Sequence, residues 1–197
     1  MGAGRLREFD KDHALDDAME LFWRDGYNGT SLSDLTTVMG INKPSLYAAF
    51  GNKETLFISA LNQYVHKHGT PHINQLHTSN TNLTKRLQSY LKSIAKMQTD
   101  PKLPGGCFIV TSTCETRSHC LPIDALQTIT KINEATTKAL FDFFVNEKKQ
   151  GNLTTTSPPD VLASYLLTLQ YGLAVMARNG AKRNELDQVI DHSISVF

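Results

Sequence analysis

Residues 30–57, TSLSDLTTVMGINKPSLYAAFGNKETLF, constrain this chain most strongly, because they predict two short helices joined by a tight turn. Ser31, with a carboxylate three positions later, is typical of a helix start, and Gly40 suits the helix end because glycine adopts left-handed backbone at little cost. Asn42 then caps a second helix whose first turn contains Pro44, where a missing N–H is tolerated. The spacing predicts a helix-turn-helix, the arrangement that places a helix in the major groove of DNA.

The second helix of this pair has an apolar face and an opposite, outward face. Leu46, Ala49 and Phe50 recur at helical spacing and are expected to point inward. We expect the outward face to meet base edges through Lys43, Pro44, Ser45 and Ala48.

Phosphate contacts are predicted around this helix. Lys53 begins the next helix, where a cation and free backbone N–H groups can hold a phosphate. Thr30 and Ser31 are further candidate phosphate donors, although simple helix capping explains Ser31 equally well. Arg5 and Arg7 lie in a short arm that either reaches a minor groove or is a solvated tail.

A family resemblance rests on residues 40–54, GINKPSLYAAFGNKE, in which Leu-Tyr-x-x-Phe-x-x-Lys-Glu is the most specific part. This segment resembles the signature of TetR/AcrR-type bacterial transcriptional regulators. The resemblance implies that Tyr47 contacts a phosphate or the flank of a base, and that a larger helical domain dimerises and binds an inducer. Thr36 and Pro44 depart from it, since alanine and glycine are usual at these positions.

The overall charge does not itself indicate nucleic-acid binding. The formal net charge is +1, and residues 1–67 contain 7 Lys and Arg against 9 Asp and Glu. The DNA interpretation therefore depends on where the charges lie. The sequence contains no G-x-S-x-G, phosphate-binding loop, H-E-x-x-H or dinucleotide-binding glycine pattern, so we do not expect an enzyme. No export signal is visible and the three cysteines suit a reducing compartment, so a cytoplasmic location is expected.

Apolar residues recur at helical spacing along the chain, and no stretch alternates with a period of two. The predicted fold is all-α, with about nine helices. We expect a three-helix helix-turn-helix domain over residues 1–51, a connecting helix over 52–68, and a helical effector-binding and dimerisation domain over 69–197. Gly69 and Pro71 are expected to end the connecting helix.

Residues 161–177 contain no charged side chain and are apolar around the whole helix. Such a helix must be covered on all sides, either within its own domain or by a second copy of the chain. The predicted dimer interface consists of Leu167, Tyr171, Ala174, Val175, Leu186, Val189, Ile190 and Ile194. Polar interruptions argue against a membrane span, so no membrane is expected as a partner.

A small-molecule pocket in the second domain is implied mainly by the resemblance. Its candidate residues are Tyr90, Ile94, Met97, Phe108, Phe141, Phe144, Tyr165 and Leu169. At helical spacing such residues form a core more often than a pocket, so both interpretations stay open.

Two further clusters raise the alternative of a metal- or thiol-responsive regulator. His66, His68, His72 and His77 lie close together in sequence, but the expected helix break separates them, and no metal or other cofactor is predicted. Cys107 and Cys114 are expected on one side of a short helix with Cys120 just beyond it, where they are either redox-sensitive or simply packed.

Together these patterns predict a homodimeric transcriptional regulator, a repressor that binds a palindromic operator in double-stranded DNA and responds to an unknown small-molecule effector. The alternative from another class is an architectural DNA-binding protein without an effector.

Overall fold

The computed structural model describes residues 9–78, 81–118 and 121–197. Its helices are α1 (Lys11–Gly29), α2 (Leu32–Val38), α3 (Lys43–Phe50), α4 (Lys53–Tyr64), α5 (Thr70–Ile73), α6 (Leu83–Gln98), α7 (Phe108–Glu115), α8 (Ile123–Lys149), α9 (Pro159–Arg178) and α10 (Arg183–Ser193). Over these described residues there is no strand, which confirms the all-α prediction. Because α5 is a single turn that continues α4, the main helices number nine, as expected.

Helices α1 to α4 form the first packed unit. Asp10 caps α1, and its carboxylate accepts hydrogen bonds from the backbone N–H groups of Asp12 and His13. Gly26 interrupts the helix with φ +73°, as the glycine predicts. Side chains from all four helices meet in one buried core, which includes Phe22, Trp23, Leu35, Leu46, Leu56 and Phe57.

The connecting helix extends further than the sequence suggests. Past Tyr64 the chain passes through a π-helical stretch at Val65–Gly69, in which the N–H of Thr70 donates to the carbonyl of Val65, and then enters α5. The expected break at Gly69 and Pro71 is therefore wrong. Pro71 lies in the first turn of α5, directly after the π-helical stretch.

Helices α6, α8, α9 and α10 form a second core, built around Leu87, Leu91, Phe144, Leu166 and Leu186, all fully buried. Asn82 caps α6, and its side chain accepts a hydrogen bond from the backbone N–H of Lys85 at 2.9 Å. A bidentate ion pair joins α6 to α8: Arg86 Nη1 lies 2.9 Å from Glu147 Oε1, and Nη2 lies 2.6 Å from Oε2.

Polar contacts connect the two units. The Trp23 indole N–H donates to the carbonyl of Gly105 at 3.0 Å, and Arg178 at the end of α9 donates to the carbonyls of Trp23 and Arg24. The Glu115 carboxylate on α7 accepts a hydrogen bond from the backbone N–H of Tyr27 at 3.4 Å. The helix-turn-helix unit is thus held against the ends of α7 and α9.

Helix α9 is long and apolar enough to cross a membrane by length and composition. In this structure it packs against α6 and α8, and Leu162, Leu166 and Leu173 are buried in the second core. Its apolar composition is accounted for in part by this packing.

Candidate nucleic-acid interface and ligand cavity

The two faces of α3 are arranged as the sequence predicts. Leu46 is fully buried and Phe50 is buried against the first core. The outward positions Lys43, Pro44, Tyr47 and Ala48 are exposed, and Ser45 is half-buried. Tyr47 leaves 48% of its surface exposed, which is high for a large aromatic residue with no described partner to cover it.

Side-chain caps fix the ends of α2 and α3. The side chain of Asn42 accepts a hydrogen bond from the backbone N–H of Ser45 at 2.8 Å. Ser31 and Asp34 form a reciprocal capping box, with N–H to oxygen distances of 2.9 Å and 3.1 Å. Hydrogen bonds from Ser31 lower the pKa of the Asp34 carboxyl. These caps hold α3 in the orientation that presents its outward face.

The two predicted phosphate donors before α2 differ in accessibility. Thr30 is 1% exposed and its hydroxyl donates to the carbonyl of Gly26 at 2.7 Å, so its assignment as a phosphate donor is corrected. Ser31 is exposed, its Oγ accepts from the Asp34 N–H, and its hydroxyl also bonds the Asp34 carboxylate, so in this structure it acts as a helix cap. Arg5 and Arg7 lie outside the described residues.

Lys53 at the start of α4 is held over an aromatic ring. Its Nζ lies 4.2 Å from the centroid of the Tyr27 ring. Partial burial lowers the pKa of Lys53, and the nearby Glu115 carboxylate opposes that shift. Tyr27 and Glu115 were missed by sequence reasoning, because no spacing rule connects them to Lys53.

The acidic residues of α1 are engaged locally. Asp16 pairs with Lys67 and accepts from Gln63 at 3.0 Å, and Asp25 pairs with Arg24 at 3.0 Å. These two pairs engage acidic residues of α1 with basic residues of the same unit, and its excess of acidic residues is unchanged.

A cavity of about 650 Å³ lies between α4–α5, α6, α8 and α9. Its apolar lining includes Val65, Ile94, Met97, Ile109, Val110 and Leu167, and its polar lining includes His72, Tyr90, Gln98, Gln170 and Tyr171. Among lining residues, Asn62, Thr70, Lys131, Ala135 and Ala139 are exposed, which places the mouth between α4–α5 and α8. This volume lies within the range of pockets for drug-sized ligands.

The structure brings Tyr90, Ile94 and Met97 to the cavity but not the other five candidates. Phe108 packs in the first core, Phe144 stacks on Phe197 in the second, and Phe141 is 40% exposed. On α9, Tyr165 and Leu169 pack against the second core. Those five positions are corrected, because the neighbouring faces of α8 and α9 supply the lining.

The structure covers some of the predicted dimer residues and leaves others exposed. Leu167 and Tyr171 line the cavity, and Ala174, Leu186, Ile190 and Ile194 are buried within the chain itself. Val175 and Val189 remain exposed, by 55% and 37%. For the six residues that line the cavity or are buried, the assignment to a dimer interface is wrong, because contacts within one chain already cover most faces of α9 and α10.

The histidines face different surroundings. His68 packs between the rings of Trp23 and Tyr64, and His77 packs against Phe143. His72 is hydrogen-bonded to Ser93, and His66 is exposed. In the part of the chain that the structure describes, no three His, Cys, Asp or Glu residues converge to hold a metal ion.

The two cysteines that the structure describes differ in exposure. Cys107 is the N-cap residue of α7, and burial raises the pKa of its thiol, which disfavours the reactive thiolate. Cys114 is exposed, and Cys120 lies outside the described residues.

An exposed, capped helix α3 beside a helical body with a ligand-sized cavity defines a helix-turn-helix regulator. Residues 14–60 match the model of the family described as bacterial regulatory proteins, tetR family. The HTH-type transcriptional repressor ComR of Escherichia coli is 34% identical over 194 residues, which cover 98% of this chain and 91% of ComR. The uncharacterized HTH-type transcriptional regulator YezE of Bacillus subtilis is 30% identical over 199 residues, covering 98% and 99%.

The fold agrees with these relationships. A cysteine mutant of the TetR family transcriptional regulator CifR, complexed with 26 bp double-strand operator DNA, matches with a TM-score of 0.86 and 29% identity, covering 98% of this chain and 100% of that one. The chain therefore belongs to the TetR family and is a DNA-binding transcriptional regulator.

Proposed function

We propose that this protein is a transcriptional repressor that binds a two-fold symmetric operator as a homodimer and releases it when a small molecule occupies the cavity. The observation that carries the proposal is the exposed outward face of α3 above a buried Leu46 and Phe50. The repressor ComR and the operator complex of CifR support it. Such a regulator acts in the cytoplasm and is not an enzyme.

The residues of the interface have different roles in this proposal. Lys43, Pro44, Ser45 and Ala48 meet base edges, and Tyr47 meets a phosphate or the flank of a base. Lys53 binds phosphate from the N-terminus of α4, and its position over the Tyr27 ring restricts the direction of its ammonium group.

The dimer surface follows from what α9 leaves uncovered. The exposed residues at helical spacing are Val161, Ser164, Thr168, Gly172, Val175 and Met176. This strip carries no charge, and its small central residues allow a second helix to approach closely. Val189 on α10 extends it. Two copies of the strip packed about a two-fold axis would cover the exposed apolar surface and set the separation of the two α3 helices.

The effector acts through α4 and its continuation. Residues Val65, His68 and Gly69 line the cavity, while Lys53 at the other end of α4 belongs to the DNA interface. An effector releases DNA only if it binds better to the conformation in which the α3 helices are wrongly spaced. The separation of the two Tyr47 residues should therefore differ between the two states.

Selection of bound sequences from a random DNA pool tests the DNA-binding proposal. We expect a palindromic consensus. Lys43→Ala should change both the preferred sequence and the affinity, whereas Lys53→Ala should weaken all sequences alike. Lys102→Ala, an exposed lysine of the second unit, is the matched control and should leave binding unchanged. A pool without enrichment would favour an architectural protein instead.

The oligomeric state is tested by sedimentation equilibrium. Val175→Glu places a charge in the uncharged strip and should convert the dimer to monomer. Ile123→Glu, at a position that is 72% exposed at the start of α8, should leave the dimer intact. Dissociation by both variants, or by neither, would reject α9 as the interface.

A further inference from the structure

Buried hydrogen-bond acceptors without donors line the cavity, and they restrict the effector that the proposed function requires. The unpartnered atoms of this kind are Nε2 of His72, Oε1 of Gln98 and Oε1 of Gln170, and the lining also contains the unpartnered Tyr64 hydroxyl, which can donate as well as accept. The three acceptors come from α5, α6 and α9, so three separate elements place unpartnered acceptors in the walls of one cavity. Buried polar groups in folded proteins are normally paired, and this clustering therefore points to a ligand.

The hydrogen bonds of His72 fix its Nε2 as an acceptor. The hydroxyl of Ser93 donates to the carbonyl of Tyr90 at 2.7 Å, so the Ser93 oxygen must accept from His72 Nδ1 at 2.9 Å. Nδ1 therefore carries the hydrogen, and Nε2 keeps a free lone pair in the neutral ring. Burial lowers the pKa of His72 to about 4, so the ring is neutral at physiological pH.

Each of the two glutamines has an unpartnered carbonyl oxygen, and that of Gln170 is fixed by the hydrogen bond of its amide N–H. Gln170 uses its amide N–H to donate to the Tyr90 hydroxyl at 2.6 Å, which leaves Oε1 as its cavity group. Gln98 is only 2% exposed, and its Oε1 has no partner. In water such oxygens accept from solvent, so a ligand that displaces solvent without supplying donors loses affinity.

The charges of the lining residues disfavour ionic ligands in this cavity. Its lining contains no Asp or Glu, and the charged lining residue Lys131 is exposed at the mouth. Burial also lowers the pKa of His68, which favours its neutral form. A cation would lack a counter-charge, and an anion would face three acceptors. Either ion would lose its hydration without compensation.

We infer that the effector is an uncharged, largely apolar molecule that carries at least two N–H or O–H donors. Its apolar part packs against Ile94, Met97, Ile109, Val110 and Leu167, and its donors meet the acceptors of His72, Gln98 and Gln170. This inference rests on the proposed function, because it specifies the ligand of the same cavity.

Isothermal calorimetry on the full-length protein without DNA tests the inference with a panel of matched aromatic triples. One such triple is 4,4′-dihydroxybiphenyl, 4,4′-dimethoxybiphenyl and biphenyl-4,4′-dicarboxylate. We expect the dihydroxy member of the best-binding triple to bind at least tenfold more tightly than its dimethoxy and dicarboxylate counterparts, since each added hydrogen bond contributes up to about tenfold. Equal or tighter binding of the methoxy or carboxylate members, or no binding by any dihydroxy member, would overturn the inference.

Variants of the two glutamines test whether their carbonyl oxygens cause the preference for hydroxy over methoxy ligands. Gln98→Leu and Gln170→Leu should each reduce the hydroxy-over-methoxy preference, while Gln88→Leu, which lies on α6 but does not line the cavity, should retain it. An unchanged preference in both cavity variants would also overturn the inference. Operator binding, measured separately by fluorescence anisotropy, distinguishes the failures: protein that ignores operator DNA refutes the proposed function, whatever the panel shows.

Discussion

The ion pair between Arg86 and Glu147 gives a stability prediction that can be worked through in numbers. The two side chains are 12% and 2% exposed and make two parallel hydrogen bonds. Arg86 also donates to the carbonyl of Leu76 at 3.0 Å, and Asn152 donates to Glu147 at 2.8 Å. The pair thus joins α6, α8 and the turn after α5, three elements around the cavity.

Removing either partner leaves a buried charge without compensation, which costs about 3–5 kcal/mol in proteins. We expect about 3 kcal/mol for Glu147→Gln and for Arg86→Met, at the lower end because Arg86 retains some contact with water. The double variant Arg86→Met with Glu147→Gln leaves no buried charge and should cost about the same as either single variant. The coupling energy is then about 3 kcal/mol.

Urea unfolding followed by circular dichroism measures these values, at one fixed protein concentration because the proposed dimerisation would contribute to stability. Each single variant should keep the slope of the transition and lower its midpoint. Losses below 1 kcal/mol for the single variants, or losses that simply add in the double variant, would refute the reasoning.

The same pair predicts a pH dependence. Burial by itself raises the pKa of Glu147, but hydrogen bonds from Arg86 and Asn152 outweigh it and leave the pKa below its ordinary value of 4.5. A lowered pKa in the folded state means that the stabilisation is fully present above pH 4.5 and is lost as the pH falls through the lower, folded-state pKa. The stability gap between the wild type and Glu147→Gln should narrow below pH 4.5.

Two further predictions concern the backbone. Gly106 has φ +66°, and a Cβ there would lie 2.8 Å from the carbonyl oxygen of Ala174, so Gly106→Ala should cost about 2–3 kcal/mol. Gly151 has φ +73° and open space around it, so Gly151→Ala should cost about 1 kcal/mol. Equal shifts in urea midpoint for the two variants would show that the close contact with Ala174 does not contribute. Ser31→Ala removes the cap of α2 and should cost about 1 kcal/mol in thermal unfolding, whereas Ser33→Ala, an exposed position inside α2, should cost less; equal losses would exclude capping.

The helix-turn-helix could be predicted well because its information is local. The caps at Ser31 and Asn42 form as the sequence predicts, since each depends on residues within one turn. The burial of Leu46 and exposure of Tyr47 follow from a single amphipathic period. Thr30 was misassigned because its hydroxyl donates to the carbonyl at Gly26, where the helix bends, a contact that composition does not show.

The second unit was harder to predict because α9 is apolar on every side. Periodicity shows that all its faces must be covered but does not assign Leu167 to a cavity, Leu166 to a core and Val175 to the surface. Those assignments depend on the positions of α6 and α8. Similarly, glycine and proline at positions 69 and 71 usually end a helix, and the π-helical hydrogen bond at Val65 overrides them here.

That π-helical stretch changes the direction in which the following side chains point around the helix axis. A π turn holds an extra residue compared with an α turn, so every side chain after Gly69 is rotated by about 100° from where an uninterrupted helix would place it. The rotation brings His72 and Ile73 to the cavity wall, while Lys53 at the start of α4 is unaffected by it. Removing one residue from this stretch would leave α4 and α5 helical but would rotate α5 relative to α4. His72 and Ile73 would then no longer face the cavity while Lys53 keeps its place.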